Sequence, residues 1–301
     1  MKIVTLVTAA AASLATSAYG ADLAYKAPPL APPVQVSPWD VAFGAGIATD
    51  YLFRGLTQTS HDPSASAFVS PTYTVSPNLQ LYAGVSAESI KLPNDAAAEV
   101  DFWGGIRPSI GPLAFDFGVW YYAYPGGDGW YVASWKSPYP GIVATNKDLG
   151  FYEVYGKVTW TVAPLLAVGA NVNYSPDFLH TSADGTYYSG VVKITAPAEI
   201  LPSGIGAYLS GEVGHQVLGT MDNGFDLPDW TTWNVGVGFT WKAFTLDLRY
   251  TDTDLSDTDC FTLTGDPGAT LLASGAIESN WCGATFTAKL SAATTVFSMM
   301  K

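Results

Sequence analysis

Charge is scarce in this chain. Only 13% of its 301 residues are charged, and Lys and Arg number 13 against 26 Asp and Glu. A formal net charge of -13 with so few bases offers no basic patch to phosphates, which excludes nucleic acid as a partner. The acidity belongs either to solvated loops or to an acidic interior. Long apolar runs are missing as well: no window reaches the roughly 18 continuous apolar residues that a spanning helix needs. If such a chain spans a membrane, it must do so as a closed β-barrel, since only helices and closed barrels satisfy every backbone polar group in lipid. Histidine is rare. His61, His180 and His215 are scattered, no nucleophile motif accompanies them, and none lies at ligand spacing from the cysteines. The expectation is a protein that is not an enzyme and carries no metal and no cofactor.

Aromatic residues are plentiful at 14%, with 30 Gly and 10 Trp. They fall into a pattern clearest between Trp230 and Asp252. Trp233, Val235, Val237, Phe239 and Trp241 alternate with Asn234, Gly236, Gly238 and Thr240. After Lys242-Ala243, Phe244, Leu246, Leu248 and Tyr250 alternate with Thr245, Asp247, Arg249 and Thr251. Period two makes each run a strand with one apolar and one polar face, and the two-residue link makes the pair a hairpin. Trp233 to Trp241 spans roughly 26 Å at about 3.3 Å per residue. Tilted by about 40°, that is roughly 20 Å of height, near the ~25 Å apolar band between the aromatic girdles of membrane barrels.

The chain opens with an export pattern. Lys2, an apolar run from Ile3 to Ala12 and small residues at Ala18-Tyr19-Gly20 read as a signal peptide over residues 1–20, cleaved after Gly20 or Ala21. Residues 21–39, with Pro28, Pro29, Pro32 and Pro33, read as an extended linker. The remainder, 40–301, reads as one barrel domain. Alternation starts at Val41, Phe43, Ala45 and Ile47 and is expected to run on through Asp50-Tyr51-Leu52-Phe53-Arg54-Gly55-Leu56-Thr57-Gln58. That places Tyr51 and Phe53 on the apolar face and lets Asp50 and Arg54 pair on the polar one. Further strands are expected at 65–75, 79–90, 98–109, 113–123, 151–163, 165–175, 186–196, 205–217, 231–241, 243–253 and 282–291. The fold class is thus all-β: an antiparallel transmembrane up-and-down β-barrel of about 12 strands, an even number as in bacterial single-chain barrels. Long and short connections alternate along the chain, with 197–204 the one longer link on the short side. Membrane barrels have this asymmetry, with short periplasmic turns and long outer loops.

The stretch D-Y-L-F-R-G-L-T-Q, followed by Asp62-Pro63 and a second strand, resembles the start of the TorF family of outer-membrane porins. The likeness is concentrated at residues 49–63 and extends through the order of strands and loops to about Leu290. The opening A-D-L-A-Y-K-A-P-P also resembles the mature N-termini of several Gram-negative outer-membrane proteins. The resemblance implies a barrel in the outer membrane of a Gram-negative cell, reached through the periplasm. Its partners would be outer-membrane lipid and small polar solutes or ions.

Charges within the strands share a face with their polar neighbours. The expected lumen set is Arg54, Glu88, Asp101, Arg107, Asp116, Glu153, Lys157, Lys193, Glu212, Asp247 and Arg249. These groups either fill a closed polar core with ion pairs or line an aqueous path and set its selectivity. The expected aromatic girdle is Tyr51, Phe53, Tyr152, Trp160, Trp233, Trp241, Phe244 and Tyr250. About twelve strands lie between the filled eight-stranded barrel and the open channel of 16–18 strands. A narrow pore is therefore expected, either constricted by the glycine-rich loop 124–150 around Trp130 and Trp135 or left with that loop outside. Cys260 and Cys282, an even pair in an exported chain, are expected to form a disulfide. The run Asp252, Asp254, Asp257, Asp259 reads as a solvated acidic loop rather than a calcium loop, since it lacks the glycine and closing Glu of that motif. Three functions fit: a porin-like passive channel, a non-conducting barrel that binds a partner or serves the envelope structurally, or a secreted β-sandwich that binds carbohydrate through exposed aromatics. The chain leaves its own oligomeric state open, and its last residues, V-F-S-M-M-K, put the end of strand twelve in question.

Overall fold

The structure is a computed structural model that describes residues 37–127, 130–132, 143–145 and 149–300. The expected signal peptide and most of the linker lie outside the described residues, as does Trp135 with most of the loop around it. Twelve strands close into one antiparallel barrel. They are β1 (Trp39–Ala48), β2 (Ser64–Ser76), β3 (Leu79–Glu88), β4 (Glu99–Ile110), β5 (Leu113–Ala123) and β6 (Phe151–Ala163). The second half comprises β7 (Leu166–Ser175), β8 (Gly185–Thr195), β9 (Ile205–Leu218), β10 (Trp230–Trp241), β11 (Phe244–Thr253) and β12 (Thr285–Thr295). Each strand pairs with its sequence neighbours, and β1 closes the ring on β12, with Ala42 opposite Thr295 and Ala48 opposite Lys289. The start of β1 and the end of β12 lie at the end of the barrel that carries the short turns, and the long loops lie at the other.

The wall is inside-out relative to a soluble barrel. Val235 and Leu209 are each 50% exposed and Trp160 is 48% exposed, all on the outer surface. An apolar exterior this continuous suits lipid rather than water. Aromatic pairs mark both rims. Trp39 meets Tyr73 at 4.9 Å and Trp241 meets Phe244 at 6.1 Å at the turn end. Tyr250 meets Phe286 at 5.0 Å near the loop end. Tyr152, Trp160, Trp233, Trp241, Phe244 and Tyr250 all belong to the outward-facing set. On the inner face, glycines make room for rings. Gly84 lies opposite Trp103, and a Cβ there would come within 2.2 Å of the indole.

The structure corrects the first strand. β1 stops at Ala48, and the chain then turns inward instead of continuing along the wall. Tyr51 is 2% exposed, and Phe53 packs edge-on against Tyr122 at 5.7 Å inside the barrel. Neither residue belongs to the girdle. Their alternation with Asp50 and Arg54 continues the β1 pattern, but it serves a miniature hairpin whose apolar residues are buried against the inner wall. The last strand is also corrected. It starts at Thr285, because Cys282 is held in the preceding loop by its disulfide, and ends at Thr295 in a helical turn, Val296–Met299.

Candidate functional site

The segment after β1 is a plug. Leu52–Phe53 pairs with Leu56–Thr57, and Arg54 (φ 49°) and Gly55 (φ 92°) form the two-residue link. Positive φ at both link residues is the signature of a type I′ turn, the tightest hairpin connection. A Cβ on Gly55 would lie 2.3 Å from Thr253 Cγ2 and 2.7 Å from Thr232 Oγ1, so the tip is pressed against β10 and β11. Arg54 projects from this tip. It turns into the lumen from the plug rather than from a wall strand.

The guanidinium of Arg54 is surrounded by partners. It donates to both carboxylate oxygens of Glu153 at 2.7 Å and to Gln216 Oε1 at 2.6 Å. It also stacks against Phe53 and Tyr187, at 4.6 and 4.4 Å from the ring centres. Tyr122 and Asn173 add donors to Glu153 Oε2 at 3.2 and 3.1 Å. The Trp230 indole donates to the Arg54 carbonyl at 2.9 Å. Nη2 alone meets both Glu153 oxygens while Nη1 serves Gln216, and with Glu153 1% exposed this pair is of the desolvated kind that is strongly felt when broken. Glu153 is the third residue of β6 from the loop end and Gln216 the third of β9. The plug therefore fills the outer mouth and leaves the lower lumen to the wall residues.

Above the tip, the rest of the segment is fastened to the mouth. Asp50, 2% exposed, accepts from Thr57 Oγ1 at 2.6 Å, Thr59 Oγ1 at 2.7 Å and the His61 ring at 2.8 Å. The expected Asp50–Arg54 pairing is thus replaced by separate partners for each. Tyr51 donates to Glu99. The other His61 nitrogen meets the Asn280 carbonyl at 3.0 Å, and Thr57 N donates to the Trp281 carbonyl at 2.9 Å. Asn280 and Trp281 precede Cys282, whose disulfide to Cys260, with Cα atoms 5.7 Å apart, ties the last outer loop to the helix Asp257–Thr264. Plug and loop share one buried cluster with wall aromatics, including Trp103 stacked on Trp120 at 4.7 Å and Tyr122 stacked on Phe151 at 4.5 Å. These lumen-side aromatics meet the apolar hairpin, which needs apolar wall partners once it is seated inside.

Below the plug, the wall charges pair across and along strands. Arg107 meets Asp116 at 3.1 Å and lies over the Tyr82 ring at 3.7 Å. Tyr82 donates to Asp116 and bonds the Tyr155 hydroxyl, and Lys157 sits over the Tyr155 ring at 4.8 Å. Across the lumen, Arg249 bonds Asp247 at 3.0 Å, Asn234 at 2.5 Å and Ser210 at 2.9 Å. Tyr208 donates to Asp247 at 2.7 Å and carries Lys193 over its ring at 4.1 Å, and Tyr187 donates to Glu212 at 3.2 Å. Lys289, opposite Asp247 in the ladder, joins this inward set and was passed over in the sequence. Near the mouth, single carboxylate oxygens of Glu88, Glu99 and Asp101 lie within 4.8 Å of one another, the grouping among the described residues best able to hold an ion.

In the acidic run, Asp254 accepts from Thr231 N at 2.6 Å, Asp252 from Tyr250 OH at 2.7 Å and Asp259 from Ser256 Oγ at 2.6 Å. His215 Nδ1 meets Thr231 Oγ1 at 3.1 Å. Asp62 pairs with Lys91 at 2.7 Å on the surface.

No curated relative matches the sequence. Among solved structures, the KdgM porin is 7% identical with a TM-score of 0.42, over 84% of this chain and 98% of that chain. The TodX monoaromatic hydrocarbon channel is 9% identical with a TM-score of 0.43, over 86% and 90% of the two chains. LpxR from Salmonella typhimurium is 10% identical with a TM-score of 0.40, over 83% and 99%. A model of the bacterial family of unknown function Gcw_chp matches residues 34–277, and the chain belongs to that family.

Proposed function

We propose that the protein is a porin-like passive channel of the outer membrane, conducting small polar solutes or ions through a lumen whose mouth is narrowed by residues 49–63. No catalytic step is involved. One observation carries the reading: the charged side chains of the strands turn inward, with Asp252 at the loop-end rim as the exception, and they include both signs. Burying so many ionised groups is costly unless they are paired or hydrated, and an aqueous path hydrates what the pairs leave over. The resemblance of residues 49–63 to the start of the TorF porins supports the same reading, as does the placement of the start of β1 and the end of β12 with the short turns, the periplasmic side in such barrels. A second reading, a non-conducting barrel that binds a partner through its outer loops, is favoured by the closure of the mouth through Arg54 and Glu153. Planar-bilayer recording of purified protein separates them. A channel gives discrete current steps, with a reversal potential under a salt gradient that reports charge preference. A folded barrel silent at all voltages, with and without the plug, refutes conduction.

A further inference from the structure

His61 stands in an arrangement that only one protonation state satisfies. Its Nδ1 is 2.8 Å from Asp50 Oδ2 and its Nε2 is 3.0 Å from the Asn280 carbonyl oxygen. Both partners are acceptors only. A neutral imidazole carries one N–H, so it serves one of them and turns a lone pair toward the other; the imidazolium serves both. The backbone is committed to this placement too. Ser60 (φ 54°) and His61 (φ 60°) form a second left-handed turn, closed by Asp62 N to Thr59 O at 3.0 Å, with His61 N held by Thr57 Oγ1 at 3.1 Å. Positive φ at two consecutive non-glycine residues is strained and persists only where the surroundings impose it. What this placement achieves is a bridge: Asp50 belongs to the plug, and Asn280 belongs to the disulfide-closed loop that covers it.

We propose that His61 is a proton-operated latch, which in its charged form fastens the lumen plug to the outer loop and on losing its proton loosens it. The inference rests on the channel reading for its consequence, which is a mouth held shut in acid and released toward alkaline pH. The charges facing the ring come from three places. Asp50 accepts from it directly, Asp266 of the outer loop adds a negative field, and the neighbouring Asp62 is already matched by Lys91. The hydrogen bond to Asp50 is the main influence holding the imidazolium above its ordinary range, with the Asn280 carbonyl and Asp266 adding to it against partial burial. The sign follows. A group whose docked pKa is raised contributes docking that is fully present below the released value, about 6.5 for histidine, and lost as pH rises through the docked value. Each unit of difference between the two changes the docked-to-released ratio roughly tenfold.

The test reads the plug and the current separately. Spin labels at Gln58 and Ser203 on the otherwise intact disulfide-bonded protein in lipid nanodiscs report docked and displaced populations, and bilayer recordings run at the same pH values. The expected result is a displaced fraction that grows as the pH is raised from 5.5 to 8.5 in the wild type. In His61→Gln, which folds to the same barrel by its heat-modifiable mobility, the fraction should not change with pH. A wild-type displaced fraction equal at both pH values, or a pH response retained in His61→Gln, overturns the latch. A pH-dependent displacement without current at any pH supports the latch and sinks the channel reading. Current with a pH-independent plug does the reverse.

Discussion

Arg54→Ala is the sharpest perturbation of the plug. In the wild type Arg54 neutralises Glu153, which is 1% exposed and receives two guanidinium bonds at 2.7 Å. Removing the guanidinium leaves that carboxylate buried with only Tyr122 and Asn173 as donors. Breaking one side of a buried pair typically costs about 3–5 kcal/mol. Since about 1.4 kcal/mol is a factor of ten, docking of the hairpin should weaken by roughly 10²- to 10⁴-fold. The wall itself should stand, because Glu153 is then free to hydrate once the plug leaves. Amide hydrogen exchange at fixed pH measures the outcome: residues 50–61 should lose protection in Arg54→Ala while the β6 and β9 ladders keep theirs. Adding Glu153→Gln should recover part of the loss, since no bare charge remains. Unchanged protection in the single variant, or no recovery in the double, would refute the assignment of Arg54 as the plug's anchor.

Gly55→Ala should unseat the same hairpin by a different route, because its φ of 92° is a glycine conformation and the added Cβ meets Thr253 Cγ2 at 2.3 Å. The same exchange experiment should show lost protection worth about 1–3 kcal/mol, the usual scale of such backbone strain. Reducing Cys260–Cys282, or replacing both by Ser, should cost about 3 kcal/mol in a chain-entropy account of the 22-residue separation, read as a lower unfolding midpoint in urea. Val235→Arg, at the middle of β10 on the outer face, should destabilise the barrel in phospholipid vesicles by about 2–4 kcal/mol.

The strands could be read in the sequence because lipid outside and polar groups inside impose a strict period of two. The hairpin Trp230–Thr253, with Asp247 and Arg249 on one face and its Lys242-Ala243 turn, is legible for that reason. The disulfide could be expected from two cysteines in an exported chain. The plug could not, since Tyr51 and Phe53 against Asp50 and Arg54 carry on the alternation of the strand before them, and contact with Tyr122, Glu153 and Thr253 is what makes the segment a buried hairpin rather than more wall. One local signal was available: Arg54-Gly55 between Leu52-Phe53 and Leu56-Thr57 is a plausible two-residue turn. The partners of Arg54 lie 99 and 162 residues away, a separation no local pattern encodes. The inward aromatics Trp103 and Phe151 follow from the plug and were hidden with it, whereas Trp120 falls on the polar face of its strand by the same alternation.

The most direct measurement compares single-channel conductance of the wild type with that of a variant whose hairpin Leu52–Thr57 is replaced by a glycine-serine linker of equal length. The account predicts small, discrete steps for the wild type and a larger, steadier conductance without the hairpin, because the polar lumen below it is opened. Equal conductance in the two, or silence from both while each remains a folded barrel, would contradict it.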